Sequence, residues 1–261
     1  MVRPIKDQTA SVSNPNFSAM KNTERFSSRV DNYVKYRPHY PAAVIPYLAT
    51  EAGLTRDTIV ADIGAGTGIS AQPFLDNGNK VFEVEPNKEM REMSEKLLQR
   101  YPGFTAIAGT AEHTTLPNAS VDLIVAGTAF HWFDRNAAIT EFRRIARETA
   151  QVALMWNVRQ AGLPFEKGYE KLLHQFGNDY KDMEHRNVGT SQLLDLFQPG
   201  SLKEKSFQNA QIFDFPALKG RLLSSSYIPE KGEPSHEPMM KALEDLFEKY
   251  QEQGMVKFHY E

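Results

Sequence analysis

The run Val60-Ala61-Asp62-Ile63-Gly64-Ala65-Gly66-Thr67-Gly68 narrows the possible folds more than any other part of the chain. An apolar strand that breaks into alternating glycines and then a helix makes a loop with almost no side chains. A nucleotide-like ligand can lie against bare backbone there, beside the N–H groups of the helix start. Glu85 closes the next apolar run, where a second strand would end and a ribose would need a carboxylate acceptor.

The surrounding pattern supports that placement. Thr58 to Ile63 is a short, nearly continuous apolar run, as expected for a strand buried on both faces of a parallel sheet. A helix is predicted from Gly68 to Asp76, a strand from Lys80 to Glu85 and a helix from Asn87 to Tyr101, with Asn87 as N-cap. Strands follow at Phe104 to Ala108 and Val121 to Ala126, then a helix at Asp134 to Arg147 and a strand at Gln151 to Trp156. Strands alternating with helices at this spacing indicate an α/β fold with a doubly wound, mostly parallel sheet. Upstream, Glu24 to Gly53 reads as helices interrupted at Arg37-Pro38, with Pro41 suited to a first helical turn. Downstream, residues 162–200 read as mostly helical, with a polar interval from Asn178 to Gly189. Ser206 to Phe215 and Met255 to Tyr260 are strand candidates, and Leu218 to Ser226 and Glu237 to Gln253 are helix candidates.

Composition removes several function classes. The chain has 261 residues, enough for a sizeable core, and no cysteine, which excludes disulfides, thiolate nucleophiles and cysteine-ligated zinc. Its formal charge of -3 is spread over mixed signs, which argues against a dedicated nucleic-acid surface. The histidines lack metal-ligand spacing, so no metal is expected. Residues 1–22 are polar and read as a flexible leader without a signal peptide, and no run approaches a membrane span. The expectation is a cytoplasmic protein, a monomer or homodimer, with no nucleic-acid or membrane partner.

The nucleotide is narrowed by spacing. A dinucleotide fold wants G-x-G-x-x-G, whereas Gly64, Gly66 and Gly68 give G-x-G-x-G, and Thr67 and Ile69 rule out a Walker lysine motif. An NAD-dependent oxidoreductase stays open as an alternative at this point, as does a cofactor-binding protein without catalysis. The plain structural alternative is that the glycines only allow a tight turn.

Asp62-Ile-Gly-Ala-Gly-Thr-Gly resembles the first motif of class I S-adenosylmethionine-dependent methyltransferases. The resemblance continues through Val84-Glu85-Pro86-Asn87 with Met90, Gly109-Thr110-Ala111-Glu112, Leu116-Pro117, Val121 to Val125, and Ala129-Phe130-His131-Trp132-Phe133. Tyr33 to Pro41, Trp156-Asn157-Val158-Arg159 and Ser224-Ser225-Ser226-Tyr227 are similar to a small-molecule subgroup, the trans-aconitate methyltransferase-like proteins. The resemblance spans residues 24–260. It implies a Rossmann-like sheet of seven strands with N-terminal helices and helical insertions after the fifth and sixth strands. One methyltransferase domain is expected over residues 23–261: a helical lid at 23–55, a cofactor-binding core at 56–160, and a half at 161–261 that covers the acceptor. The last strand ends early relative to the family, which implies a shortened C-terminal end.

The implied cofactor is S-adenosyl-L-methionine. Gly64, Ala65, Gly66 and Gly68 would line its methionine and ribose, and Asp62 would orient the loop or reach the amino group. Glu85 would accept from both ribose hydroxyls. Pro86, Asn87 and Met90 would approach the adenine face, and Thr110, Ala111 and Glu112 its edge. Many relatives carry Asp where this chain has Thr110, so the contact there is uncharged or shared with Glu112. Tyr33, Arg37 and Thr128 would be further cofactor contacts.

His131 follows the fourth strand at the edge where ligands of open α/β sheets bind, and reads as a base or a donor to substrate, or else as a residue packed beside Trp132. Trp132, Arg159 and Tyr227 are substrate candidates, while Asp122 is expected to satisfy nearby backbone. Methyl transfer from a sulfonium needs positioning and exclusion of water more than a triad. The implied acceptor is a small molecule methylated on oxygen, less favourably nitrogen. An acidic acceptor would suit Arg37 or Arg159.

Overall fold

The computed structural model describes residues 29–178, 180, 189–198 and 200–261. The leader expected at 1–22, the residues up to 28 and most of the polar interval after Asn178 lie outside the described residues.

Five strands form the main sheet: β1 (Ile59–Ile63), β2 (Lys80–Val84), β3 (Phe104–Ile107), β4 (Val121–Gly127) and β5 (Ala146–Met155). Their order is β3-β2-β1-β4-β5, all parallel. The order reverses between β1 and β4, so the carboxyl ends of these two strands flank the crevice where open α/β sheets bind ligands. Both faces of the sheet are covered. On one side α2 (Val44–Ala52), α3 (Gln72–Asp76) and α4 (Lys88–Leu98) bury Leu48, Phe74 and Leu98 against Val60, Val81 and Leu123. On the other, α5 (Arg135–Ile145) buries Ile139, Phe142 and Ile145 against Ala61, Ile63 and Ile124. Continuous apolar strands are what such double coverage requires.

Local signals explain most boundaries. Asn87 caps α4, its Oδ1 accepting from the Met90 N–H at 2.8 Å. The Asp122 carboxylate accepts from the Ile59 N–H at 2.9 Å, the backbone role expected for it. Arg37 leaves α1 (Val30–Tyr36) with ψ 144°, the extended geometry imposed on a residue before proline. The helix expected to start at Gly68 begins as a series of turns and becomes α3 only at Gln72, because the loop's positive-φ backbone delays helical bonding.

The remainder builds a third core. Helices α6 (Pro164–Phe176), α8 (Phe215–Leu223) and α9 (His236–Tyr250) pack with β6 (Asn209–Phe213) and β7 (Val256–Tyr260) around Tyr169, Leu218, Leu243 and Phe258. A short α7 (Thr190–Leu196) leans on α5. The main sheet has five strands, not the expected seven: β6 and β7 pair antiparallel in a sheet of their own. The physical reason lies after Met155, where β5 ends and only a brief backbone exchange links the two sheets. Val158 N–H donates to Glu261 C=O at 2.8 Å, and Glu261 N–H returns a bond to Val158 at 2.9 Å. Helix α1 lies on α8, where Gly220 gives way to the Tyr36 ring; a Cβ there would strike it. This contact brings Arg37 over the end of α8.

Candidate functional site

The glycine loop leaves β1 with φ of +67° at Gly64, +63° at Gly66 and +85° at Gly68. The Gly64 N–H donates to Val84 C=O at 2.8 Å, tying the loop to the end of β2. A Cβ on Gly66 would meet nothing nearer than the Met90 sulfur at 3.8 Å, so bare backbone faces open space. Glu85 anchors this cradle. Its Oε2 accepts from the Gly66 N–H at 2.9 Å and its Oε1 from the Asn87 N–H at 2.8 Å. Each carboxylate oxygen keeps a second lone pair. Burial raises the Glu85 carboxyl above its ordinary value, opposed by the two backbone N–H groups.

Asp62 lies fully buried below the loop. Its Oδ2 accepts from the Ser70 hydroxyl at 2.6 Å, and its Oδ1 has no partner. Burial pushes this carboxyl up to about 7, against the pull of Ser70. The orphaned Oδ1, the open cradle at Gly66 and the spare lone pairs of Glu85 together suit a ligand with an ammonium group and a ribose diol.

Among the residues expected at the adenine, the polar groups are partly committed. The Thr110 hydroxyl accepts from the His113 N–H at 3.1 Å, and Glu112 Oε1 accepts from the Asp134 N–H at 2.9 Å. Ala111 and Met90 are buried, while Pro86 is exposed.

Across the crevice, a cavity of about 50 Å3 lies between the loop, the end of β4 and the α1 exit, lined by Tyr33, Arg37, Tyr40, Thr128, Asn157 and Arg221 among others. Thr128 holds φ 55°, and its hydroxyl meets that of Tyr40 at 3.0 Å. Arg37 stacks on the Tyr33 ring at 4.8 Å and donates to Ser224 C=O at 2.9 Å, with its Nε buried and unpartnered. Beyond it, Arg159 donates to the Tyr180 hydroxyl, whose ring packs on Tyr227 at 4.8 Å, and the charges of Arg37, Arg159 and Arg221 all act on Tyr227. Burial pushes the Tyr227 phenol up, but the charges of Arg159, Arg221 and Arg37 outweigh it and hold it below its ordinary value. A larger cavity of about 270 Å3 lies on the other side of Ile69, lined by Val34, His39, Thr67, Leu97 and Arg100 among others.

The structure therefore brings Tyr33, Arg37, Ala65 and Thr128 around one cavity, with Arg159 and Tyr227 joined to it through the arginine cluster. His131 and Trp132 are not among the residues lining either cavity: they occupy a short 3-10 turn after β4, their rings 5.0 Å apart. Sequence reasoning missed Ser70, Glu83, Asn157 and Arg221. Arg221 precedes the Ser224 to Tyr227 motif and Asn157 sits beside Arg159, so proximity to motifs was the available signal. Glu83 alternates with the apolar residues of β2 and gave none.

Residues 61–154 match the methyltransferase domain family. An uncharacterised methyltransferase of Mycobacterium tuberculosis is 32% identical over 60% of this chain and 62% of its own length. The chain thus spans about six tenths of the length of the curated relatives it matches first. A protein of Anaeromyxobacter dehalogenans assigned as a type II methyltransferase shares the fold with a TM-score of 0.61 at 22% identity, over 86% of this chain and 94% of its own. Geranyl diphosphate C-methyltransferase of Streptomyces coelicolor, solved with S-adenosyl-L-homocysteine, gives a TM-score of 0.51 at 13% identity, covering 95% and 97%. The fold is the Rossmann-like fold of methyltransferases, with its parallel sheet and flanking helices. Among the described residues, no helix is long and apolar enough to cross a membrane.

Proposed function

We propose that this chain, which carries a methyltransferase domain over residues 61–154, is a class I methyltransferase that uses S-adenosylmethionine to methylate an oxygen of a small anionic acceptor. The observation that carries the donor half of this reading is Glu85, a buried carboxylate oriented by two backbone N–H groups with lone pairs to spare. That is an arrangement for a vicinal diol at the switch point of the sheet.

In this reading Gly64, Ala65, Gly66 and Gly68 hold the methionine and ribose, and Asp62 meets the amino group. Pro86, Asn87, Met90, Thr110, Ala111 and Glu112 frame the adenine. Tyr33 and Arg37, from the helical lid, close over the methionine end opposite Thr128 at the end of β4.

The bound sulfonium supplies an electrophile that is already activated. The chain's own residues then have three tasks. The guanidiniums of Arg37 and Arg221, which line the cavity, bind and orient the acceptor, while Arg159, paired with Glu170, shapes the charge around it. The aromatic walls exclude water, which strengthens those contacts. No residue has to take a proton if the nucleophile is a carboxylate oxygen, and the described residues lining the cavity include no histidine.

The test is a panel of carboxylic acids, phenols and amines incubated with S-adenosylmethionine, reading release of S-adenosylhomocysteine. Release with carboxylic acids is expected. Release with amines alone would overturn the acceptor assignment, and calorimetric binding of NAD without binding of S-adenosylmethionine would overturn the donor.

A further inference from the structure

Around Tyr227, the positive charges outnumber the negative ones. Among the described residues, Arg159 alone of the three arginines acting on it has a carboxylate. Its Nη2 donates to Glu170 Oε2 at 2.5 Å and to the Tyr180 hydroxyl at 2.9 Å. That hydroxyl in turn donates to the other Glu170 oxygen, and His174 lies 3.7 Å from the same oxygen. Arg221 has only long contacts to neutral hydroxyls, at 3.4 Å to Tyr260, 3.5 Å to Ser224 and 3.3 Å to Ser225. Arg37 has a backbone carbonyl and an aromatic ring. Nearby Arg29 binds the carbonyls of Ser225 and Ile228 and has its own carboxylate in Glu230 at 3.7 Å.

Three guanidiniums against one carboxylate leave a surplus of two positive charges. Burial and the like charge of Arg221 both work against the charged form of Arg37. The resting protein tolerates this surplus with buried, unpartnered Nε atoms on Arg37 and Arg159. A surplus held at a cavity beside the cofactor loop is what an anionic ligand would relieve.

We propose that Glu170, by occupying Arg159, acts as a built-in counter-anion that fits the chamber to a dianionic acceptor. This rests on the reading that the acceptor is a small anion. Two guanidiniums, Arg37 and Arg221, remain for the ligand. A monocarboxylate leaves one of them unpaired. A tricarboxylate brings a third negative group against Glu170, a repulsion that specificity commonly uses. Glu170 is a positioning residue in this scheme: it acts through Arg159 and selects the ligand by charge.

The test is calorimetry on the full chain loaded with S-adenosylhomocysteine, titrated with butanoate, butanedioate and propane-1,2,3-tricarboxylate. The wild type should bind the dicarboxylate at least tenfold more tightly than either of the others. Glu170→Gln should shift the tricarboxylate-to-dicarboxylate preference at least tenfold toward the tricarboxylate, and Glu170→Asp should restore the original order. A folded Glu170→Gln protein with an unchanged ratio overturns the proposal. If that variant does not fold, the double change Arg159→Gln with Glu170→Gln removes the pair together and keeps the surplus of two. It should keep the wild-type order, and a switch to the tricarboxylate overturns the idea. Failure of all three carboxylates to bind the wild type instead overturns the anionic-acceptor reading on which the proposal rests.

Discussion

Asp62 on β1 and Glu83 on β2 are register partners in the parallel sheet, and both carboxyl groups are fully buried beneath the glycine loop. One oxygen of Asp62 and both oxygens of Glu83 lack a hydrogen-bond partner; the nearby Ser94 hydroxyl donates instead to Arg91 C=O at 2.9 Å. Burial pushes Asp62 up to about 7 and holds Glu83 well above the ordinary carboxylate range, with Glu85 adding repulsion to both and Asp62 adding it to Glu83. Two acids are thus kept where charging them is costly, under the loop that we propose receives a cationic ligand.

The sign of the resulting pH dependence is fixed. A folded pKa above the unfolded one means that the unfolded chain loses its proton first as pH rises. The stability due to Asp62 is therefore complete below about 4, where unfolded aspartate titrates, and is lost as pH rises toward its folded value. The loss is about 4 kcal/mol at most, before relaxation and water entry reduce it. Glu83 extends the same trend to higher pH. Asp62→Asn and Glu83→Met should raise the melting temperature of the ligand-free protein at pH 8 and flatten its rise on acidification. Melting curves from pH 5 to 9 check this, and variants that retain the wild-type slope would contradict it.

Glu85 holds the loop, and in the proposed function it also holds the ribose, so its loss should act on binding. Glu85→Ala should weaken S-adenosylhomocysteine binding by about 2 kcal/mol or more, because hydrogen bonds to charged groups are the strong ones. Glu85→Gln keeps one acceptor oxygen and should fall between. Calorimetry on variants shown to be folded by circular dichroism decides it. Unchanged affinity in Glu85→Ala would remove the ribose assignment.

Two glycines should respond differently to an added methyl. At Gly66 the new Cβ has room within the protein, so Gly66→Ala should cost only the backbone strain of its positive φ, about 1–2 kcal/mol. The same methyl fills the open cradle and should weaken cofactor binding at least tenfold. At Gly220 the methyl would strike the Tyr36 ring, so Gly220→Ala should lower stability and detach α1 from α8. Cofactor affinity and melting temperature, measured on both variants, should separate the two effects. Equal losses of both in both variants would contradict the cradle.

Much of the glycine-loop geometry was legible in the sequence because it is local. Asp62 to Gly68, Glu85 and Asn87 lie within two consecutive strand-loop-helix units, and their spacing nearly determines their meeting. The arginine cluster was not. Arg37, Arg159, Glu170 and Arg221 come from four separate elements, and which of them face one another depends on how α1, α6 and α8 pack. A buried arginine such as Arg221 reads in sequence like any charged helix residue. The strand count failed for a similar reason: β6 and β7 have strand-like patterns, but whether they join the main sheet depends on the few residues after Met155.

Thr128 supplies a last, purely conformational test. A β-branched residue at φ 55° is a genuine outlier, held here by the bond from its N–H to Met155 C=O at 2.7 Å and by Tyr40. Alanine at this position keeps the backbone strain and loses the hydroxyl contact. Glycine loses the same contact but removes the strain, which costs about 1–2 kcal/mol in a residue with a Cβ. Even after the extra chain entropy of glycine, about 0.5–1 kcal/mol, Thr128→Gly should therefore be at least as stable as Thr128→Ala. That is the reverse of the order at ordinary backbone positions. Both variants leave the Tyr40 hydroxyl with only its 3.5 Å contact to Met155 C=O and should lower turnover of the acceptor, while Thr128→Ser should retain it. Denaturant unfolding orders the stabilities, and an alanine variant more stable than the glycine one by about 1 kcal/mol would show that the strain is not there.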